Sequence, residues 1–77
     1  MIKEMKKGMR NNTFLKQVGS KVRAYRKAKK LSMQYVADEI GMNISNLSFL
    51  ETGKTNPHLL TLLAIADVLK TDVKNFL

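Results

Sequence analysis

The side chains able to do chemistry in this sequence are mostly cationic. Eleven of its 14 lysines and arginines precede Leu31 (Lys3, Lys6, Lys7, Arg10, Lys16, Lys21, Arg23, Arg26, Lys27, Lys29 and Lys30), against one acid there, Glu4. From Leu31 onward the chain is slightly acidic, so the formal charge of +8 is concentrated at one end. Charge of this kind suits a polyanion, because each phosphate neutralised by Lys or Arg releases condensed counterions. A solubilising tail and a solvated helix face are the plainer explanation, and for the first ten residues alone both stand. Catalytic chemistry is not indicated. There are no paired carboxylates, no nucleophile beside a base and no phosphate-cradling glycine loop, and Asp38 and Glu39 are too isolated for acid–base work. With no cysteine and one histidine, neither a disulfide framework nor a zinc signature is present, and no cofactor or metal is expected. No apolar run reaches membrane-spanning length and the N-terminus lacks a signal-peptide block, so a soluble cytoplasmic protein with no membrane partner is expected.

The elements that must position these groups read as helices within one domain. In Ser32 to Gly53, SMQYVADEIGMNISNLSFLETG, Val36, Ala37 and Ile40 recur at helical spacing, Gly41 stops the period, and Leu47 and Leu50 restart it. Two short helices joined by a tight turn follow, a helix-turn-helix pattern. Ala37 lies where the helices cross, and a methyl lets their backbones approach. Gly41 takes the positive φ of a helix exit, Met42 tucks into the core, and Ser32 and Asn43 cap the two helices. Upstream, a helix capped by Asn12 or Thr13 runs from Phe14 to Lys29 or Lys30, with Val18, Val22 and Tyr25 inward and Lys16, Arg23, Lys27 and Lys30 outward. Downstream, Pro57 suits the first turn of a fourth helix that is apolar nearly all round, from Leu59 to Leu69. Asp72 caps a last short helix, Val73 to Leu77.

Val22 to Arg26 with Leu31-Ser32, the Ser32–Gly53 stretch, Leu50-Glu51-Thr52-Gly53-Lys54, and Asn56-Pro57 followed by Leu59, Leu62, Ile65, Ala66 and Leu69 resemble, in that order, the DNA-binding domain of the Cro/C1 (XRE) repressors. The likeness covers roughly residues 18 to 77 and implies an all-α, five-helix, lambda-repressor-like fold. It also implies that double-stranded DNA is the partner. Carried over by position, Ile44, Ser45, Ser48 and Phe49 face base edges in the major groove, with Asn46 on the flank of the same helix. This set has no Arg, Lys or Gln, so the bidentate pairings to guanine or adenine are missing and a site rich in T·A contacts is expected. Phosphate contacts fall to Ser32, Met33, Gln34, Asn43, Asn46, Thr52, Gly53, Lys54, Asn56 and His58. The family's Gln directly after the second helix's cap is here Met33, with Gln34 one place later. The resemblance further implies a structural ion pair between Arg26 and Glu51. Lys70 stands where the family ends the fourth helix with Gly, so either a strained exit or another geometry is expected there.

Residues 1 to 12, MIKEMKKGMRNN, read as a flexible basic arm suited to phosphates or a minor groove. A terminal helix of five residues cannot hide Val73, Phe76 and Leu77 on so small a domain, which predicts a homodimer interface made of those three. The expected function is a sequence-specific transcriptional regulator, a repressor or a small autoregulatory controller. The alternative is a protein-interaction module of the same fold that binds a protein partner.

Overall fold

The computed structural model describes residues 13–77, so the expected arm at residues 1–12 lies outside the described residues. Four α-helices follow in order: α1 (Thr13–Ala28), α2 (Met33–Ile40), α3 (Ile44–Glu51) and α4 (Leu59–Val68). Where a fifth helix was expected, the chain makes a 3₁₀ turn, Val73–Phe76. No strand occurs among the described residues, and the all-α class holds.

Apolar spacing decides which faces turn inward. Val18 and Val22 of α1, Val36 and Ala37 of α2, Leu47 and Leu50 of α3, and Leu62, Ile65, Ala66 and Leu69 around α4 form one buried cluster. Ala37 is fully covered, as its place at the α2–α3 crossing requires. Tyr25, Met33, Ile40 and Met42 pack on the rim of this core.

Phe76 corrects the expected dimer interface. Its ring is wholly buried in its own subunit, edge-on to Tyr25 with centroids 5.8 Å apart and planes at 74°. The 3₁₀ turn achieves this because the Asp72 carboxylate accepts the Lys74 N–H (3.0 Å) and folds the turn back against α1 and α4. Val73 is half-buried against the core, and Leu77 alone of the three is well exposed.

At the start of α1, Thr13 is the first described residue of the helix, and the other expected cap, Asn12, lies outside the described residues. Pro57 precedes α4 instead of entering it: His58 occupies the N-cap in extended backbone (φ −72°, ψ 148°) and makes no side-chain capping bond. The start of α4 follows from the burial of Leu62 and Ile65, and the polar turn before it must stay outside.

Candidate nucleic-acid interface

The helix-turn-helix is assembled from local bonds that its residue types supply. Ser32 Oγ accepts the Tyr35 N–H (3.0 Å) at the start of α2, and Asn43 Oδ1 accepts the Ser45 N–H (2.8 Å) at the start of α3. Between them Gly41 takes a left-handed φ of 71°, and the Met42 N–H reaches back to the Ala37 carbonyl (2.8 Å). The side-chain oxygens of Ser32 and Asn43 are thus engaged in capping. The Met33 and Gln34 backbone N–H groups have no acceptor among the described residues and open outward at the start of α2. The Met33 side chain packs toward the core, so only its amide remains for an anion. Gln34 Nε2 is held along its own helix, donating to Asp38 Oδ1 (2.8 Å).

On α3, Leu47 and Leu50 are buried while Ile44 and Phe49 are 40% and 47% exposed. Ser45 is exposed beside them and Ser48 is half-buried. Asn46 lies on the flank facing α4, in a groove of about 260 Å³ that it lines with Phe49, Asn56, Pro57, His58 and Thr61. Phe49 therefore does not fold back into the core.

The far end of α3 is fastened to α1. Arg26 and Glu51 are both buried, and the guanidinium meets the carboxylate through two bonds, Nε to Oε2 (2.7 Å) and Nη2 to Oε1 (3.0 Å). Nη1 donates to the Leu31 carbonyl (2.9 Å), so one side chain ties α1, the α1–α2 connection and α3 together. The hydrogen bond that the guanidinium donates to Glu51 outweighs desolvation and raises the Arg26 pKa, keeping the guanidinium charged. Gly19, which the sequence reading passed over, makes the crossing possible. A Cβ there would run into the Leu50 carbonyl and stand 2.7 Å from the Glu51 carbonyl oxygen. A glycine within a helix costs about 1 kcal/mol relative to alanine, so its place between two core valines was itself the signal.

The turn after α3 revises one expectation. The N–H groups of Thr52, Gly53 and Lys54 all donate to carbonyls of α3 itself, those of Ser48, Leu50 and Phe49. They are spent on the helix exit, and Thr52 Oγ1 is likewise bonded to the Ser48 carbonyl (2.9 Å). Within the Lys54–Asn56 turn, the amides left without an intramolecular acceptor are those of Thr55 and Asn56, beside the exposed Lys54. Thr55 was not among the expected residues. Among the described residues no group of three His, Cys, Asp or Glu could hold a metal ion, and no helix is long and apolar enough to cross a membrane.

The helix-turn-helix family model matches residues 22–75, most of the described chain. The chain belongs to the Cro/C1-type helix-turn-helix family. The family and its structural neighbours make this Cro/C1-type protein a DNA-binding regulator rather than an enzyme. Among solved structures it is similar to the restriction-modification controller protein C.AhdI from Aeromonas hydrophila, with 28% identity over 82% of this chain and 96% of that one and a TM-score of 0.79. It is also similar to the DNA-binding domain of BldD, with 25% identity over 87% of this chain and 97% of that one and a TM-score of 0.77. The clp gene regulator ClgR from C. glutamicum shares the fold at 21% identity over 82% of each chain, with a TM-score of 0.78. Comparison with the curated proteins finds no match.

Proposed function

We propose that this Cro/C1-type protein is a cytoplasmic, sequence-specific repressor or small autoregulatory controller that reads the major groove as a homodimer. The observation that carries the reading is α3 itself. Its apolar Ile44 and Phe49 stand open to solvent on the side away from Leu47 and Leu50, with Ser45 and Ser48 beside them. Apolar contacts to thymine methyls and hydroxyl bonds to base edges are what this face offers, so the preferred site is rich in T·A pairs. Phosphate contacts come from Ser32 with the Met33 and Gln34 amides on one side. On the other they come from the Lys54 side chain with the Thr55 and Asn56 amides, flanked by His58. The likeness to C.AhdI, itself a controller protein, supports the small-controller form of this reading.

Dimerisation in this reading uses apolar surface that Phe76 does not provide. Leu59, Leu60 and Leu63 of α4 are 60%, 79% and 42% exposed and Leu77 is 55% exposed, more than one small subunit covers alone. Two copies joined there would present their α3 helices about one DNA turn, ~34 Å, apart. Sedimentation showing monomer only at high micromolar concentration removes the dimer.

Selection from random duplexes tests the whole reading. An enriched palindrome bound with salt-dependent affinity is expected, and Phe49→Ala should lower affinity for it while leaving thermal stability nearly unchanged. Salt-dependent binding without any enriched sequence overturns the reading. The interaction module, in which the exposed Ile44 and Phe49 meet a protein partner, predicts no enrichment at all.

A further inference from the structure

We infer that Lys16, on α1, is a phosphate-contacting residue that completes a clamp with Lys54 and the Thr55 and Asn56 amides; this rests on the DNA reading above. The helix-turn-helix alone does not supply it, since α1 precedes that unit. What brings Lys16 to the site is Gly53. A Cβ at Gly53 would fall 2.6 Å from Lys16 Cγ, 2.7 Å from its Cα and 2.8 Å from its backbone nitrogen. The exit of α3 therefore lies directly on Lys16, whose aliphatic stem passes along the turn that carries Lys54.

Charge and hydrogen bonding point the same way. Lys16 and Lys54 are both exposed, and neither meets a carboxylate among the described residues. The nearby acid of α3, Glu51, is buried and held by Nε and Nη2 of Arg26, so it leaves the turn's positive field uncompensated. The Thr55 and Asn56 N–H groups, directly after Lys54 in the chain, lack acceptors. A lysine of α1 packed against this turn, a second lysine on it and two free amides match an oxygen-rich monoanion such as a backbone phosphodiester. Lys27, on the same outward stripe of α1, lies eleven residues further along, about 16 Å of helix away, and has no such turn beneath it.

The test is the salt dependence of binding to the duplex enriched by the selection above. Lys16→Ala is expected to reduce the slope of log affinity against log salt by about 0.9, the loss of one phosphate contact, as Lys54→Ala does. The double variant should lose more than either single one, and Lys27→Ala should lose much less than Lys16→Ala. Lys16→Arg should restore the slope, with melting temperatures unchanged throughout because the side chain is exposed. An unchanged slope for Lys16→Ala, or an equal loss for Lys27→Ala, overturns the clamp while leaving the DNA reading intact. Failure of the unmodified protein to enrich any duplex removes the reading and the clamp together.

Discussion

The C-terminal ends of α3 and α4 make the same turn with different residues. At each, the residue after the C-cap takes a left-handed φ, 75° at Gly53 and 55° at Lys70, and two N–H groups reach back to the helix: Gly53 and Lys54 to Leu50 and Phe49, Lys70 and Thr71 to Asp67 and Ala66. The backbone bond pattern is the same, so it does not decide between glycine and lysine. Surroundings do. Gly53 is buried and pressed onto the backbone of Lys16, whereas Lys70 is exposed. The end of α3 is thus fixed to α1 by two backbone approaches, at Gly19 and Gly53, and by the Arg26–Glu51 pair. The end of α4 is positioned mainly by burial of Leu69 and of the Phe76 ring that folds back beneath it. Tolerances at α3's end are set by contact with another helix and at α4's end by the chain's own φ.

The largest expected effect lies in the ion pair that makes the α3 end different. Glu51→Ala strands a buried guanidinium and should cost about 3–5 kcal/mol in chemical denaturation. A double-mutant cycle with Arg26→Met should give a coupling of at least about 2 kcal/mol. Coupling near zero would mean that apolar packing alone holds α3 and that the two helix ends are alike. Next in size is Gly53→Ala. The left-handed φ disfavours a Cβ by about 1–2 kcal/mol, and overlap with Lys16 adds a similar amount, so roughly 2–4 kcal/mol should be lost. A loss no larger than that at an open exit would show that α1 yields easily.

Much of this arrangement was legible in the residues. Periodicity and punctuation gave α2 to the residue and the start of α3 at Ile44, with its end expected about Thr52, one residue beyond Glu51, because Ser32, Gly41 and Asn43 act through local backbone geometry that their types reveal. Lys70 in the place of a glycine pointed to a strained exit or another geometry, and its φ of 55° is the strained one. Long-range packing was less legible. Phe76 reads as surplus apolar area on a short terminal segment, and nothing local says that a 3₁₀ turn will seat it beside Tyr25. Gly19 looks like an interruption until α3's carbonyls are placed against it. The turn after α3 could be assigned to phosphate by resemblance. Which of its amides remain free depends on the exit bonds, and these engage the Gly53 N–H and leave that of Thr55 without an acceptor.

The smaller predictions concern exits where no second helix intrudes. Gly41 has the same sign of φ as Gly53, but a Cβ there would meet nothing within 4 Å. Gly41→Ala should therefore cost only about 1 kcal/mol, the left-handed penalty less the entropy removed from the unfolded chain. A loss equal to that of Gly53→Ala would refute the distinction between crowded and open exits.

Lys70→Gly reverses the same logic and should stabilise. Relief of the left-handed penalty exceeds the added freedom of the unfolded glycine by about 0.5–1 kcal/mol, which for a domain of this size raises the melting temperature by a few degrees. Lys30, at φ 59° with its own N–H on the Lys27 carbonyl and that of Leu31 on Arg26, ends α1 in the same geometry and should respond alike. Because Leu31 also accepts from Arg26 Nη1, a gain at Lys70 without one at Lys30 would show that the ion-pair network, and not φ, governs the exit of α1. A loss at both would mean that the lysine side chains stabilise these exits by more than the left-handed backbone costs, and the contrast with Gly53 would then rest on crowding alone.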